Sequence, residues 1–348
     1  MHMLLSHIYS ACTWHKQVFG YLVMAAATLR SPLLREGARP LLVAHRAGAG
    51  EAPENTLESL KYCMDLQVPL VQMDVMRTKD GQLVLFHDVP VEKNLEKLTG
   101  VAGDISNYDY DDLPDFKKEF EASAMCPPGS KPVPVQQRRI SVFKDACRAL
   151  AASRTDLILE FWQESEVVVR EALEVLREFG LQSRVAAWGS PELAPIQQWC
   201  RKACPEIPVI VTFKQSFLVW FYWNVGLLRC GYPARRLLPF FSESEPRVVF
   251  NVLHVSEALP HAIFKLAKVD PEQSPIRAGL IRLLLRLLKA FTDTPRLFGF
   301  LSERHKVPTV LFIANTARDV ATCSSYPGVV AVQTDFPKQF RADLAMAK

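Results

Sequence analysis

After Pro40 the sequence alternates between short apolar runs and amphipathic stretches, and this alternation restricts the fold more than any other feature. Leu41–Ala44, Leu70–Arg77 and Asp156–Trp162 have the composition of buried strands, whereas Glu166–Phe179 has helical periodicity and ends at Gly180. About eight such strand–helix steps predict a parallel sheet with outer helices that closes into a (β/α)8 barrel. With 348 residues, 49% of them hydrophobic, the chain can form one such α/β domain over residues 40–345.

The remaining elements follow from the same pattern. Asn55–Leu66 is predicted as a helix with Asn55 or Thr56 as its cap, and Lys79–Gly81 is predicted as a hairpin turn before an extended segment at Gln82–His87. Residues 89–138 are irregular, which predicts an excursion from the barrel after the second strand. Ser141–Ala151 is predicted to be helical, and further strands are predicted at Val185–Trp188, Val209–Phe213, Val248–Leu253, Thr309–Ile313 and Val329–Gln333.

Residues 1–35 form an N-terminal hydrophobic segment, in which Val18–Leu29 is uncharged and Arg30 follows. Twelve apolar residues are too few to cross a bilayer alone. A weak signal-anchor, a cleaved signal peptide and a helix lying on the membrane remain open, and we favour an anchor or a membrane-associated helix. The net charge of +4 is compatible with an anionic membrane, and the lack of Lys/Arg runs interleaved with aromatic residues argues against nucleic acid as a partner.

Two further segments are unusually apolar for barrel helices. Ser216–Leu228 has five aromatic residues and no charged residue, and Ile276–Phe291 is rich in leucine and basic residues. On a helical projection Arg282, Arg286 and Lys289 lie within about 60° of one another. The segments could be core helices, or elements that dock on lipid with their cations at headgroup level.

Polar residues follow the predicted strands at the positions where a barrel carries its functional groups. His45 comes after the first strand, Asp74 and Glu160 lie late in the second and third, and Asp335 follows the last. Because the carboxyl ends of barrel strands meet at one mouth, we expect these side chains to converge there. Position 72 points to the same side of its strand as Asp74, because side chains alternate along a strand.

Two sequence blocks carry a specific resemblance. The stretch VAHRAGAGEAPENT at residues 43–56 precedes VQMDVMRTKDGQLVLFHD at residues 71–88, and Thr334–Pro337 closes the chain's last strand. These blocks are similar to the His-Arg-Gly, Glu-Asn-Thr, Glu-x-Asp, Thr-x-Asp-Gly and His-Asp signatures of the glycerophosphodiester phosphodiesterase family. The apolar N-terminal segment and middle resemble the family's animal membrane-associated branch, whose members act as lysophospholipases D.

The resemblance implies roles for individual residues. His45 and His87 would be the acid–base pair, and Arg46 would bind the substrate phosphate. Asp74 and Glu160, with Gln72, would hold a divalent cation, Mg2+ or Ca2+. Glu54 is expected to orient Arg46, and Asp335 to support the site. The family route begins with attack by the substrate's glycerol hydroxyl and passes through a cyclic phosphate that water opens.

The chain departs from the family pattern at three places in this site. Ala47 replaces the Gly after His-Arg, where a Cβ would crowd a loop of positive φ. Gln72 replaces a Glu, which removes one negative charge from the predicted metal site, and Trp162 stands where a Lys is often found. A further position near the seventh strand, often Trp in this branch, is Phe312.

The sequence therefore predicts a metal-dependent hydrolase of a glycerophosphodiester or lysophospholipid, acting at a membrane surface. We expect that membrane to be intracellular, the endoplasmic reticulum or a perinuclear membrane. The alternative is a catalytically impaired barrel that binds lipid or a protein partner without turnover, which the three departures favour.

Overall fold

Eight parallel strands close into a barrel in this computed structural model, which describes residues 31–34, 40–88, 93–121, 126–231, 248–254, 264, 270 and 272–346. The strand order is β1-β11-β10-β9-β8-β7-β6-β2, and β2 pairs again with β1, so the sheet has no free edge. The predicted (β/α)8 architecture is confirmed. The strands are β1 (Leu41–Ala44), β2 (Leu70–Arg77), β3 (Leu83–Leu85), β4 (Glu119–Phe120), β5 (Val133–Pro134), β6 (Asp156–Phe161), β7 (Val185–Gly189), β8 (Val209–Ile210), β9 (Val248–Leu253), β10 (Thr309–Phe312) and β11 (Val329–Thr334).

Helices follow most barrel strands and cover them on the outside. Among the described residues they are α1 (Leu57–Asp65), α2 (Asn94–Thr99), α3 (Phe143–Ala151), α4 (Glu166–Glu178), α5 (Ala194–Ala203), α6 (Phe213–Asn224), α7 (Pro275–Thr292), α8 (Pro295–His305), α9 (Ala317–Ser324) and α10 (Pro337–Met346). No helix in this part of the chain is both long and apolar enough to cross a membrane. The N-terminal segment predicted at residues 1–35 lies outside the described residues, apart from positions 31–34.

Local sequence signals explain the boundaries of these elements. Thr56, not Asn55, caps α1, since its hydroxyl accepts from the Ser59 N–H and the Ser59 hydroxyl accepts from Thr56 N–H. The predicted hairpin joins β2 to β3, which pair antiparallel. The strand predicted at Val209–Phe213 stops at Ile210, because Thr212 caps a helix that already includes Phe213. The excursion contains α2 and the two-stranded β4–β5 ribbon.

The core has two layers. Small and branched side chains fill the barrel interior, and a larger cluster lies between the strands and the helices. Leu33 joins the interior cluster, and the Ser31 hydroxyl donates to the carbonyl of Ala186 early in β7. Residues 31–34 therefore close the amino-terminal end of the barrel, which leaves the opposite end as the mouth.

Gly328 provides a test of this packing. It precedes β11 with φ +79°, and a Cβ there would lie 2.2 Å from the carbonyl oxygen of Phe298. We expect Gly328→Ala to lower the free energy of unfolding by at least about 3 kcal/mol, since strain and overlap add. Gly180→Ala is the control: its φ is +67° but no atom lies within 4 Å of the added Cβ, so it should cost only about 1 kcal/mol. Denaturant unfolding measures both, and equal losses would contradict the proposed overlap.

Candidate active site at the barrel mouth

The polar residues predicted to converge do meet at the carboxyl-terminal mouth. His45 follows β1, Asp74 and Glu160 lie opposite each other in the β2–β6 register, and Asp335 follows β11. His87 comes after β3, and the Phe86 N–H bonds to the Asp74 carbonyl, which holds this segment beside β2. The site is thus built by four neighbouring strands and one hairpin.

The loop after β1 has an unusual backbone. Arg46, Ala47 and Gly48 have φ values of +47°, +60° and +92°, and the His45 carbonyl accepts from the N–H groups of Gly48 and Ala49. Only glycine adopts this left-handed region without cost, so Ala47 carries strain of about 1 kcal/mol. The predicted conflict at Ala47 is therefore present. The turn exposes the Arg46 N–H to Gln72, whose Oε1 accepts from it at 2.8 Å.

His45 is oriented by Asp335. The distance from His45 Nδ1 to Asp335 Oδ1 is 2.6 Å, and the Asn315 amide donates to the other carboxylate oxygen. Burial alone would raise the pKa of Asp335, but the charge and hydrogen bond of His45, together with Asn315 and Arg46, lower it. An ionised Asp335 fixes the Nδ1–H tautomer of His45, which leaves Nε2 available for proton transfer.

Arg46 lies at the centre of the site. Its Nη1 donates to Glu54 Oε1 at 3.0 Å, its Nη2 lies 3.2 Å from His87 Nε2, and its Nε lies 3.8 Å from Asp74 Oδ2. The guanidinium is thus held between an acid and a histidine, as the orienting role predicted for Glu54 requires. It supplies a preorganised positive charge of the kind that binds a phosphate oxygen.

The Asp74 carboxylate is fully buried and surrounded by N–H donors. Gln72 Nε2 and Trp162 Nε1 donate to its Oδ1 at 2.9 and 2.7 Å, and Asn55 Nδ2 donates to its Oδ2 at 2.8 Å. The Asn55 side-chain oxygen also accepts from the Asp74 N–H. Three N–H donors therefore stabilise this carboxylate, and the Arg46 guanidinium lies close to it.

Gln72 has a defined amide orientation. Its oxygen must face the Arg46 N–H and its nitrogen must face the Asp74 carboxylate, so the two contacts fix which atom is which. Gln72 therefore links the Arg46 loop to Asp74. Its role as a metal ligand stays a prediction, since its carbonyl oxygen already accepts a hydrogen bond.

Glu160 is the second buried carboxylate of the mouth. It is 6% exposed and lies opposite Asp74 on the adjacent strand. Burial and, after it, the charge of Asp74 raise the pKa of Glu160 to about 8, against an opposing effect of Arg46. At neutral pH the pair therefore holds a proton that a nearby cation would displace.

Asp74 and Glu160 fit a divalent cation, but as a site with fewer protein ligands than predicted. The described residues contain no cluster of three or more His, Cys, Asp or Glu side chains arranged for a metal. Asp74 and Glu160 do offer two adjacent carboxylates, and Asp74 Oδ2 accepts a single close hydrogen bond. Mg2+ in particular is bound by one or two carboxylates, with water and substrate phosphate completing its shell.

His87 is held from three sides. The Asn94 amide contacts its Nδ1 at 3.1 Å and donates to its carbonyl, Arg46 approaches its Nε2, and Trp162 packs edge-on with ring centroids 4.4 Å apart. Both ring nitrogens therefore meet N–H groups. In this His87 differs from His45, whose partner is the carboxylate of Asp335.

Four supporting residues of the site were not predicted as such: Asn55, Asn94, Trp162 and Asn315. Asn55 belongs to the Glu-Asn-Thr block, so the motif could have indicated it as a site residue. Its backbone is left-handed, with φ of +54°. Asn94, Trp162 and Asn315 contact the site residues across the barrel mouth, and their spacing in the sequence does not predict these contacts. His254 lies apart from the site against Asp319, and His261 lies outside the described residues.

A cavity of about 790 Å³ adjoins the site on the far side of Trp162. Its lining includes Asp88, Glu164 and Arg77 but none of His45, Arg46 or Asp74. Trp162 therefore lines this cavity and also donates to the Asp74 carboxylate.

Comparison with known proteins agrees with this geometry. Residues 45–207 match the model of the Glycerophosphoryl diester phosphodiesterase family. The chain is 30% identical to lysophospholipase D GDPD3 of Mus musculus over 60% of this chain and 61% of that protein. It is 29% identical to the Homo sapiens GDPD3 protein over 54% and 55% of the two chains, so it spans little more than half of these two relatives. It is 26% identical to lysophospholipase D GDPD1 of Homo sapiens over 92% of this chain and 93% of that protein.

Solved structures share the fold. The glycerophosphoryl diester phosphodiesterase domain of a Mycobacterium tuberculosis protein has a TM-score of 0.55 at 17% identity and covers 87% of this chain and 99% of its own. A phosphodiesterase from Oleispira antarctica has a TM-score of 0.51 at 19% identity and covers 88% of this chain and 97% of its own. At these identities the likeness concerns the fold.

The buried Glu160 predicts a pH-dependent stability. Its pKa in the folded state lies above its ordinary value of 4.5, so its contribution to stability is complete below that value and is lost as pH rises towards about 8. We expect Glu160→Gln to raise the free energy of unfolding at about pH 9 by at least about 1 kcal/mol and to flatten its fall with pH. Denaturant unfolding across this range tests it, with Glu174→Gln on the exposed face of α4 as the control. A pH profile unchanged by Glu160→Gln would contradict the assignment.

Proposed function

Because residues 45–207 match the model of the glycerophosphoryl diester phosphodiesterase family, we propose that the protein hydrolyses the phosphodiester bond of a glycerophosphodiester or lysophospholipid. One observation carries this proposal: the Arg46 guanidinium is fixed between Glu54 and His87, next to the His45–Asp335 pair. A phosphate oxygen bound to Arg46 would lie between two imidazoles. This arrangement suits proton transfer on both sides of a phosphorus atom.

The surroundings of the two histidines suggest different roles. Asp335 holds Nδ1 of His45, so that its Nε2 can give a proton to the departing alkoxide. His87, which Arg46 contacts at Nε2, can accept the proton of the attacking hydroxyl. In the first step the substrate's glycerol oxygen would bond to phosphorus as the bond to the leaving oxygen breaks. Water would then open the cyclic phosphate with the roles reversed.

The phosphate charge requires neutralisation. Arg46 supplies one positive charge, and Asp74 and Glu160 are the residues that would hold a divalent cation. Such a cation, when bound, adds charge neutralisation at the phosphate. Gln72 and Trp162 keep the Asp74 carboxylate oriented through their N–H groups. Mg2+ or Ca2+ dependence is thus part of the proposal, with a weaker site than three carboxylates would form.

Substrate class is supported by the surface beside the mouth. Phe213, Phe217 and Phe221 of α6 are 41%, 51% and 43% exposed and follow one another at four-residue spacing on one face. Phe213 stacks on Phe312 at the end of β10, with ring centroids 6.2 Å apart. The exposed apolar face therefore begins at the mouth, which favours a substrate with an acyl chain and a reaction at a membrane surface.

The relatives agree with this class. The similar GDPD3 and GDPD1 proteins are named lysophospholipases D. The Oleispira antarctica phosphodiesterase was solved with its product sn-glycerol-3-phosphate, and we propose a phosphate ester of the same class for this mouth. An intracellular membrane as the location stays a prediction.

A second candidate is a barrel that binds such a lipid without turnover. The observation that favours it is the set of N–H donors on Asp74, which stabilise the carboxylate in place of a cation. Both candidates predict ligand binding, and turnover separates them.

The histidine pair can be tested by choline release from lysophosphatidylcholine and from glycerophosphocholine, with Mg2+ or Ca2+ present. We expect His45→Ala/His87→Ala to lower kcat by at least about 10³-fold, since each proton transfer contributes about 10² or more. His305→Ala, on α8, is the control for a histidine outside the site and should keep full activity. Equal release by wild type and the double variant would defeat the catalytic assignment, and an inert wild type that still binds lysolipid would favour the second candidate.

Gln72→Glu tests the metal proposal. It replaces a donor to Asp74 by a like charge, so without cations we expect a loss of about 1–3 kcal/mol in the free energy of unfolding. With a third carboxylate we expect Mg2+ affinity to rise at least about tenfold. Isothermal titration calorimetry and the Mg2+-dependent rise in Tm measure both effects. Gln136→Glu adds the same charge at an exposed position and should change neither; an unaltered Mg2+ affinity in Gln72→Glu would refute a cation between Asp74 and Glu160.

A further inference from the structure

Helix α7 exposes an apolar face to solvent. Ile276, Leu280, Leu283, Leu284 and Leu287 are 88%, 57%, 52%, 55% and 59% exposed. At about 100° per residue these five side chains occupy a sector of about 100°. Ala278 and Leu285 lie on the opposite side of the helix and are buried, so the helix packs on the protein through its smaller apolar face.

This face differs from that of an ordinary barrel helix of the same chain. The exposed positions of α4 are Glu166, Arg170, Glu174, Arg177 and Glu178, all of them charged. A contiguous row of exposed leucines on a soluble domain marks an interaction surface. The leucine face of α7 therefore has the character of an interaction surface.

The charges of α7 indicate the chemistry of that partner. The helix contains three arginines and one lysine and no carboxylate. At about 100° per residue Arg277 lies about 20° beyond Leu284 at one edge of the leucine face, and Arg286 lies about 60° beyond Leu283 at the other. Arg282 and Lys289 lie about 40–60° further round the helix than Arg286. Arg282 stacks over Phe264 at 5.6 Å and Lys289 approaches Asp293 at 3.8 Å, whereas the helix itself offers the cations no anionic neighbour. A leucine face bordered by cations complements a surface that is apolar inside and anionic at its edge.

The carboxyl end of α7 is anchored to the barrel. Asp293, which follows the helix, accepts from the Tyr326 hydroxyl at 2.7 Å and lies 3.9 Å from His254, the residue after β9. These contacts hold the end of α7 against the segment before β11 and against the residue after β9.

We propose that α7 lies in the plane of an anionic membrane interface, with its leucine face among the acyl chains and its arginine border on the lipid phosphates. The occupant of the surface is thus a bilayer that contains anionic phospholipid. This inference rests on the proposed function only for the idea that the substrate is drawn from that bilayer. The binding itself requires no turnover.

Vesicle flotation of the full chain tests the surface. Wild type should float with vesicles of phosphatidylcholine and phosphatidylserine and bind pure phosphatidylcholine more weakly. Leu280→Ser/Leu283→Ser/Leu287→Ser should lower binding to both vesicles at least about tenfold, because three apolar side chains no longer enter the bilayer. Arg282→Gln/Arg286→Gln should lower binding to the anionic vesicles at least about tenfold and leave phosphatidylcholine binding unchanged.

Arg170→Gln/Arg177→Gln on α4 is the matched control, since it removes the same charge from an exposed face without leucines; it should bind as wild type does. Circular dichroism checks that each variant is folded. The proposal is overturned if the serine variant floats as wild type does, if the α4 and α7 charge variants behave alike, or if the serine variant only converts a dimer to a monomer. Flotation as expected, with no choline release from any substrate, would reject the proposed reaction and keep the surface.

Discussion

The buried carboxylate of Asp74 is the group on which the rest of the mouth depends. Burying an ion is costly unless hydrogen bonds replace its water, and here Gln72, Trp162 and Asn55 supply these bonds from three different segments. Two of the three departures from the family pattern therefore act on one atom, Oδ1 of Asp74. A carboxylate and an ammonium at these positions would repel or neutralise Asp74, whereas an amide and an indole hold it by neutral donors.

The Arg46 loop is connected to the same group. Its left-handed backbone directs the Arg46 N–H to Gln72, and the Asn55 N–H bonds to the Arg46 carbonyl at 3.0 Å. Strain of about 1 kcal/mol at Ala47 persists because these contacts determine the turn. The hydrogen bonds that include Gln72 thus keep the strained turn in place, so Ala47 is tolerated where the family pattern has glycine.

Much of the fold could be predicted because its signals are local. β1, β2 and β9 have the predicted boundaries, since each is an apolar run bounded by polar or turn residues. The end of β8 was wrong by three residues, because the capping box at Thr212 outweighs the apolar character of Val211 and Phe213. In the site, the sequence motifs predicted His45, Arg46, Asp74 and His87. The donors Asn94, Trp162 and Asn315 come from distant parts of the chain. Their contacts depend on the closure of the barrel and leave no periodic trace in the sequence.

The two apolar segments show why composition could not decide between core and surface. In α7 leucines lie on all sides, so the pattern does not say which face packs, and the structure places the small Ala278 inward and the larger Leu280 and Leu287 outward. A helix that only served the core would bury its largest side chains, because apolar burial stabilises in proportion to area. In α6 the buried Val219 and exposed Phe217 show the same inversion. Two helices of the chain thus give up apolar burial, and this common cost is most simply offset by a partner that is itself apolar.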